Sequence, residues 1–87
     1  MKEIQLVLTN KLGLHARPAA AFVQTAAGFK SQISISTGGK TADAKSILGV
    51  LGLGARQGAA VTIRIDGVDE EKAAAGLQAF FAGQAEE

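Results

Sequence analysis

Apolar side chains recur with a period of two in three stretches of the chain. Ile4, Leu6 and Leu8 are interleaved with Gln5, Val7 and Thr9. Ile33 and Ile35 stand out of "SQISIST", and Val61, Ile63 and Ile65 share one face of "VTIRID". That period places alternate residues on opposite sides of an extended chain, so each stretch predicts a strand with one covered face. The other sides, Gln5, Thr9, Thr62, Arg64 and Asp66, then point to water.

Between the strands the period changes. "NKLG" breaks the first one, and residues 16–27 are rich in helix formers, with Phe22, Val23, Ala26 and Ala27 on neighbouring helical faces and Gly28 placed to end the helix. Pro18 is compatible with this helix only in its first turn, where its missing N–H has no intrahelical partner to lose. Gly38 and Gly39 supply the positive φ angles of a tight hairpin leading to a short strand near residues 40–42. Ser46 is placed to cap a short helix carrying Ile47, Leu48, Val50 and Leu51, weakened by Gly49, Gly52 and Gly54. Asp69 is placed to cap a last helix with Ala73, Leu77, Phe80 and Phe81 on one side. The order is βαββαβα in one domain spanning residues 1–87. It predicts an α+β open-faced sandwich with a four-stranded, mainly antiparallel sheet and three helices on one face.

Composition narrows the function. The chain has 87 residues, 47% of them apolar, and such a small domain has no room for a deep cavity, so any chemistry is expected at the surface. A formal charge of +1 gathers neither nucleic acid nor an anionic membrane. The absence of Tyr and Trp removes the usual stacking platform of a small RNA-binding domain. No cysteine is present, which excludes disulfides and fits a reducing cytoplasm. "MKEIQLVLTN" lacks the continuous apolar stretch of a signal peptide, and no segment has the roughly 20 apolar residues of a membrane span. The expectation is a cytoplasmic protein without membrane insertion.

The candidate chemistry sits in "GLHARPAA", residues 13–20, which holds the single histidine. If the helix opens at Ala16, His15 occupies its N-cap. There the unpaired N–H groups of the first turn and the positive end of the helix dipole favour an anion. Arg17 adds a guanidinium able to grip phosphate oxygens with paired donors. The same field disfavours an imidazolium, so the ring is expected to titrate below its reference of about 6.5 and to stay nucleophilic. A plain cap that hydrogen-bonds locally is the competing account of His15. A metal site or hydrolytic triad needs more ligands or a second nucleophile, so no metal and no bound cofactor are expected. "GVLGLGARQG" lacks the Gly-Lys-Ser/Thr ending of a nucleotide-binding P-loop, so the phosphoryl group has to come from another protein.

"GLHARPAA" at 13–20, "KSILGVLGLG" at 45–54 and the whole order of elements resemble the histidine-containing phosphocarrier (HPr) family of the bacterial phosphoenolpyruvate-dependent phosphotransferase system. The resemblance implies that His15 accepts a phosphoryl group on Nδ1 from phospho-Enzyme I and passes it to Enzyme IIA components in sugar uptake. It implies that Arg17 neutralises the transferring group, that backbone amides near Ala16 and Arg17 hold phosphate oxygens, and that Pro18 shapes the helix start. It further implies a regulatory site at Ser46, with an HPr kinase/phosphorylase and a regulatory protein as further partners. The protein is expected to be a phosphoryl-transfer carrier rather than a stand-alone enzyme, and a monomer that binds no nucleic acid. "TNKLGLHARPAA" also resembles the nitrogen-related branch of the family, which keeps open a regulatory protein whose phosphorylation state controls a partner without sugar transport.

Leu14, Phe22, Ile47, Leu48, Leu51 and Leu53 are mostly expected in the core. A short helix beside the histidine also allows Ile47, Leu48 and Leu51 to form an apolar docking patch, with Lys45 and Arg56 at its rim.

Overall fold

The structure, a computed structural model, describes residues 1–8 and 16–84. Its elements run β1 (Lys2–Val7), α1 (Ala16–Ala27), β2 (Gln32–Thr37), β3 (Lys40–Asp43), α2 (Ile47–Gly52), β4 (Ala60–Asp66) and α3 (Glu70–Gln84). The four strands form one sheet in the order β1-β4-β2-β3, and every neighbouring pair is antiparallel. Only β2–β3 is a local hairpin, turned by Gly38 at φ 56° and Gly39 at φ 81°.

The alternation predicted from sequence is the alternation of burial. Ile4, Ile33, Ile35, Val61, Ile63 and Ile65 point to the helices and are buried. Across the sheet Ile4 pairs with Ile63, and Ile63 with Ile35, so one row of branched side chains crosses three strands. The helices close over it with Ala19, Phe22 and Ala26 of α1, Val50 of α2, and Ala73 and Leu77 of α3. Phe22 meets Phe81 with ring centroids 5.5 Å apart and Phe80 at 6.0 Å, which joins α1 to the far part of α3. On the other face Gln5, Arg64 and Asp66 are exposed and Thr62 is partly so, as expected, while Thr9 lies outside the described residues.

Asp69 stands at the predicted cap position, immediately before α3, and its carbonyl accepts the Ala73 amide at 2.9 Å. Its carboxylate turns elsewhere. It accepts the Ser31 hydroxyl at 2.5 Å, the Ser31 amide at 2.9 Å and the Lys30 amide at 2.8 Å, tying the turn after α1 to the turn before α3. The Ser31 hydroxyl and then the Lys30 amide are the main causes that lower its pKa from the usual 3.8 to about 2. A depressed carboxylate stabilises the fold above its unfolded pKa and loses that contribution as pH falls through the folded one. The melting temperature is therefore expected to drop more steeply between about pH 4 and pH 2 in the wild type than in Asp69→Asn, with a constant gap between the two above about pH 5. Parallel melting curves across that window would show that ionisation of Asp69 contributes nothing to the clasp.

Candidate functional site

α1 begins at Ala16, as predicted, with Arg17 and Pro18 in its first turn. Pro18 and Ala19 are buried and Arg17 is exposed, so the packing that fixes the helix start leaves the guanidinium in solvent. The amides of Ala16 and Arg17 belong to the helix turn that has no intrahelical acceptor. His15 and Leu14 lie outside the described residues. The chain on either side of them is well anchored. At one end Leu8 is buried, donates its amide to Ala59 O at 3.0 Å and accepts the Gly58 amide at 2.8 Å. At the other, Ala19 and Phe22 seat α1 on the sheet.

The second candidate region is α2. Ser46 is its N-cap in extended geometry, and its hydroxyl accepts the Gly49 amide at 3.1 Å. A Cβ on Gly49 would stand 3.3 Å from the Ala42 Cβ, so glycine lets this helix lie close on β3. A six-residue helix turns only one apolar side chain inward, and that is Val50. The core expectation therefore holds for Phe22 and Leu53 and fails for three others: Ile47 is 37% exposed, Leu48 80% and Leu51 36%. The three share one short helix and make an apolar surface on the helix layer.

Lys45 and Arg56 flank that surface in sequence but differ in setting. Lys45 is partly buried, and its ammonium donates to Phe29 O at 2.7 Å. The last turn of α1 has no basic residue of its own, so Lys45 supplies the cation that its C-terminal end favours. Arg56 is exposed in the loop between α2 and β4, and no described acidic side chain meets it. Neither the Ser31–Asp69 clasp nor the Lys45–Phe29 contact has a sequence signal, because each joins residues far apart in the chain. Among the described residues no three His, Cys, Asp or Glu side chains converge as metal ligands, and no helix is long and apolar enough to cross a membrane.

An open-faced sandwich of this element order, with a first helix opening on Ala-Arg-Pro and an apolar short helix beside it, defines a phosphocarrier domain. The chain belongs to the HPr family of the phosphotransferase system. The family model described as "PTS HPr component phosphorylation site" matches residues 2–83. The phosphocarrier protein HPr of Xylella fastidiosa (strain 9a5c) is 49% identical over 93% of this chain and 91% of that protein. The HPr of Cupriavidus necator is 44% identical over 97% and 94%. A crystal structure of HPr-C-His from Thermoanaerobacter tengcongensis superposes with a TM-score of 0.95 at 46% identity, covering 100% of this chain and 98% of that one.

Proposed function

We propose that the protein accepts a phosphoryl group on His15 Nδ1 from phospho-Enzyme I in the cytoplasm and passes it to Enzyme IIA components for sugar uptake. The observation that carries the reading is the family match across residues 2–83 on a chain whose only histidine directly precedes Ala16, the first residue of α1. In each transfer an imidazole nitrogen attacks phosphorus as the bond to the donor breaks. The positive end of α1 and the exposed Arg17 offset the charge of the group in flight. The test is incubation with Enzyme I, phosphoenolpyruvate and Mg²⁺, followed by intact mass and then by addition of Enzyme IIA proteins. A stable phosphoprotein that no Enzyme IIA discharges would favour a purely regulatory member of the family.

Arg17→Lys keeps the charge and loses the planar fork. Hydrogen bonds to charged groups contribute about 1.5–3 kcal/mol, so loss of one in the transition state predicts transfer slowed roughly tenfold or more, in a protein with unchanged melting. Equal rates to and from both partners would reduce Arg17 to a solvated charge.

The Ile47, Leu48 and Leu51 surface is the proposed docking patch for these partners, with Arg56 at its rim and Lys45 behind it. Ser46 is the proposed regulatory position, a substrate for an HPr kinase/phosphorylase. Aspartate is also a good N-cap, so Ser46→Asp should preserve α2 while placing an anion beside the exposed Ile47 and Leu48. That anion must be desolvated when the patch docks, and it repels acidic partner surfaces. Transfer from Enzyme I is expected to slow several-fold at low salt and to recover partly at high salt. Wild-type rates at low salt would leave Ser46 a helix cap and nothing more.

A further inference from the structure

Charge is spread unevenly over the helix layer. Between Arg17 and Lys30, and again between Lys45 and Arg56, the chain has no charged residue. α1 therefore carries a single charge, Arg17, and α2 carries none. The two helices pack on each other and expose Ala20, Gln24 and Ala27 on one and Ile47, Leu48 and Leu51 on the other, all uncharged. The described acidic side chains belong to the strands or to the start of α3, and the Lys45 ammonium is turned to Phe29 O at 2.7 Å. Among the described residues of α1, α2 and the loop that follows α2, the charges turned to solvent are Arg17 and Arg56. Arg56 stands on a fixed main chain. Its carbonyl accepts the Ala59 amide at 3.0 Å, closing a turn in which Gly58 takes φ 89°, the positive value that the third position of a type II turn needs. The Gly58 amide reaches Leu8 O at 2.8 Å, and Ala55, just before Arg56, is buried. The main chain on both sides is thus anchored while the guanidinium is exposed, which lowers the ordering cost when a protein docks against it.

Granted the carrier reading and docking at α2, on which it rests, we propose that Arg56 is the residue that chooses among acceptor proteins. Its guanidinium pairs with one carboxylate set at the edge of an otherwise apolar partner face. Arg17 does not make this choice, because it meets the phosphoryl group whichever protein is docked. At Arg56 the partners differ. A partner with Asp or Glu opposite gains a charge-assisted pair, and the planar fork of arginine offers that carboxylate two donors. Docking of the apolar surface empties the place of water and strengthens the pair. A partner with an apolar side chain there leaves the guanidinium desolvated and unmatched, and one with Lys or Arg repels it. No acidic side chain of the described protein lies near enough to take over the pairing. The α1 and α2 positions around Arg56 bring no further cation, so a single position sets the difference between a good acceptor and a poor one. The partner face that fits is apolar and carries few acids, rather than being broadly acidic.

The test loads wild type, Arg56→Gln and Arg56→Glu to completion with Enzyme I and phosphoenolpyruvate, after a check that all three melt alike. Discharge is then followed to a panel of purified Enzyme IIA proteins. The ratio of kcat/KM between the best and the poorest acceptor should narrow roughly tenfold in Arg56→Gln and further in Arg56→Glu, with the change carried by KM. In the preferred acceptor, replacing surface carboxylates by arginine one at a time should yield one variant that discharges Arg56→Glu faster than it discharges wild type. Equal losses for every acceptor overturn the proposal, as does a loss confined to kcat or a scan in which no exchanged charge restores discharge. A wild type that gains no phosphoryl group from Enzyme I overturns the carrier reading as well. A wild type that carries the group, with Arg56 variants that keep its acceptor preferences, overturns only the choice made by Arg56.

Discussion

His15→Ala should leave the protein folded and unable to carry a phosphoryl group. The chain has one histidine and no cysteine, so no second side chain offers an imidazole or a thiolate to an incoming phosphorus. Serine and threonine hydroxyls are poor nucleophiles without a neighbouring base, and the only imidazole is the one removed. The fold should not notice. The buried core runs from Ile4 and Leu8 through Phe22, Ile33, Ile35, Val50 and Ile63 to Leu77, all outside the substituted position. With Enzyme I, phosphoenolpyruvate and Mg²⁺, the wild type should gain the mass of one phosphoryl group and lose it in acid, as a phosphoramidate does, while His15→Ala gains none. Thermal melting of the two should agree within about 0.5 kcal/mol, the spread that follows from the surface position the sequence reading gives His15. An acid-labile phosphoryl group on the variant would end the assignment of His15, whatever the family match.

The strands were legible because Ile4 and Leu6, Ile33 and Ile35, and Val61, Ile63 and Ile65 recur every second residue, and a period of two has one structural meaning when a face is covered. The pairing order was not, because Ile4 and Ile63 meet through a contact that no local pattern encodes. The helix start at Ala16 was legible for a chemical reason, since Pro18 fits only a first turn. On α2 the apolar residues Ile47, Leu48, Val50 and Leu51 look alike in sequence. Which one turns inward depends on how closely Gly49 lets the helix approach Ala42, a tertiary quantity. The same limit applies at Lys45. Its charge suggested an open rim, yet its ammonium donates to the Phe29 carbonyl in the turn after α1. For the candidate site, the local part of the motif was read from residues 15–18. The packing that exposes Arg17 and the apolar face of α2 needed the fold.

The clasp between the two turns supplies the second large effect, on stability. Gly67 follows β4 and precedes the Asp69 turn, with no positive φ to require glycine there. Its requirement is space. A Cβ at this position would stand 2.6 Å from the Ser31 Cα, 2.8 Å from its Cβ and 2.5 Å from its hydroxyl oxygen. The nearest obstacle includes backbone, which cannot rotate away as the tip of a long side chain would. Ser31 is buried at 1% exposure and is held by Asp69 through both its amide and its hydroxyl. Gly67→Ala must therefore push the two turns apart, lengthening the hydrogen bonds that depress the Asp69 pKa. Overpacking alone predicts a loss of about 1–3 kcal/mol. For a domain of this size that corresponds to a melting temperature lower by roughly 5–20 °C. The mechanism has its own signature, because Ser31→Gly removes the obstructing Cβ and hydroxyl together. The double variant Ser31→Gly/Gly67→Ala should cost less than the sum of the two single changes, since the clash and the lost hydrogen bond draw on the same contact. Strictly additive costs would place the damage of Gly67→Ala at the Ser31 Cα, which Ser31→Gly leaves in place, and a melting temperature unchanged from wild type would show that the turns yield without cost.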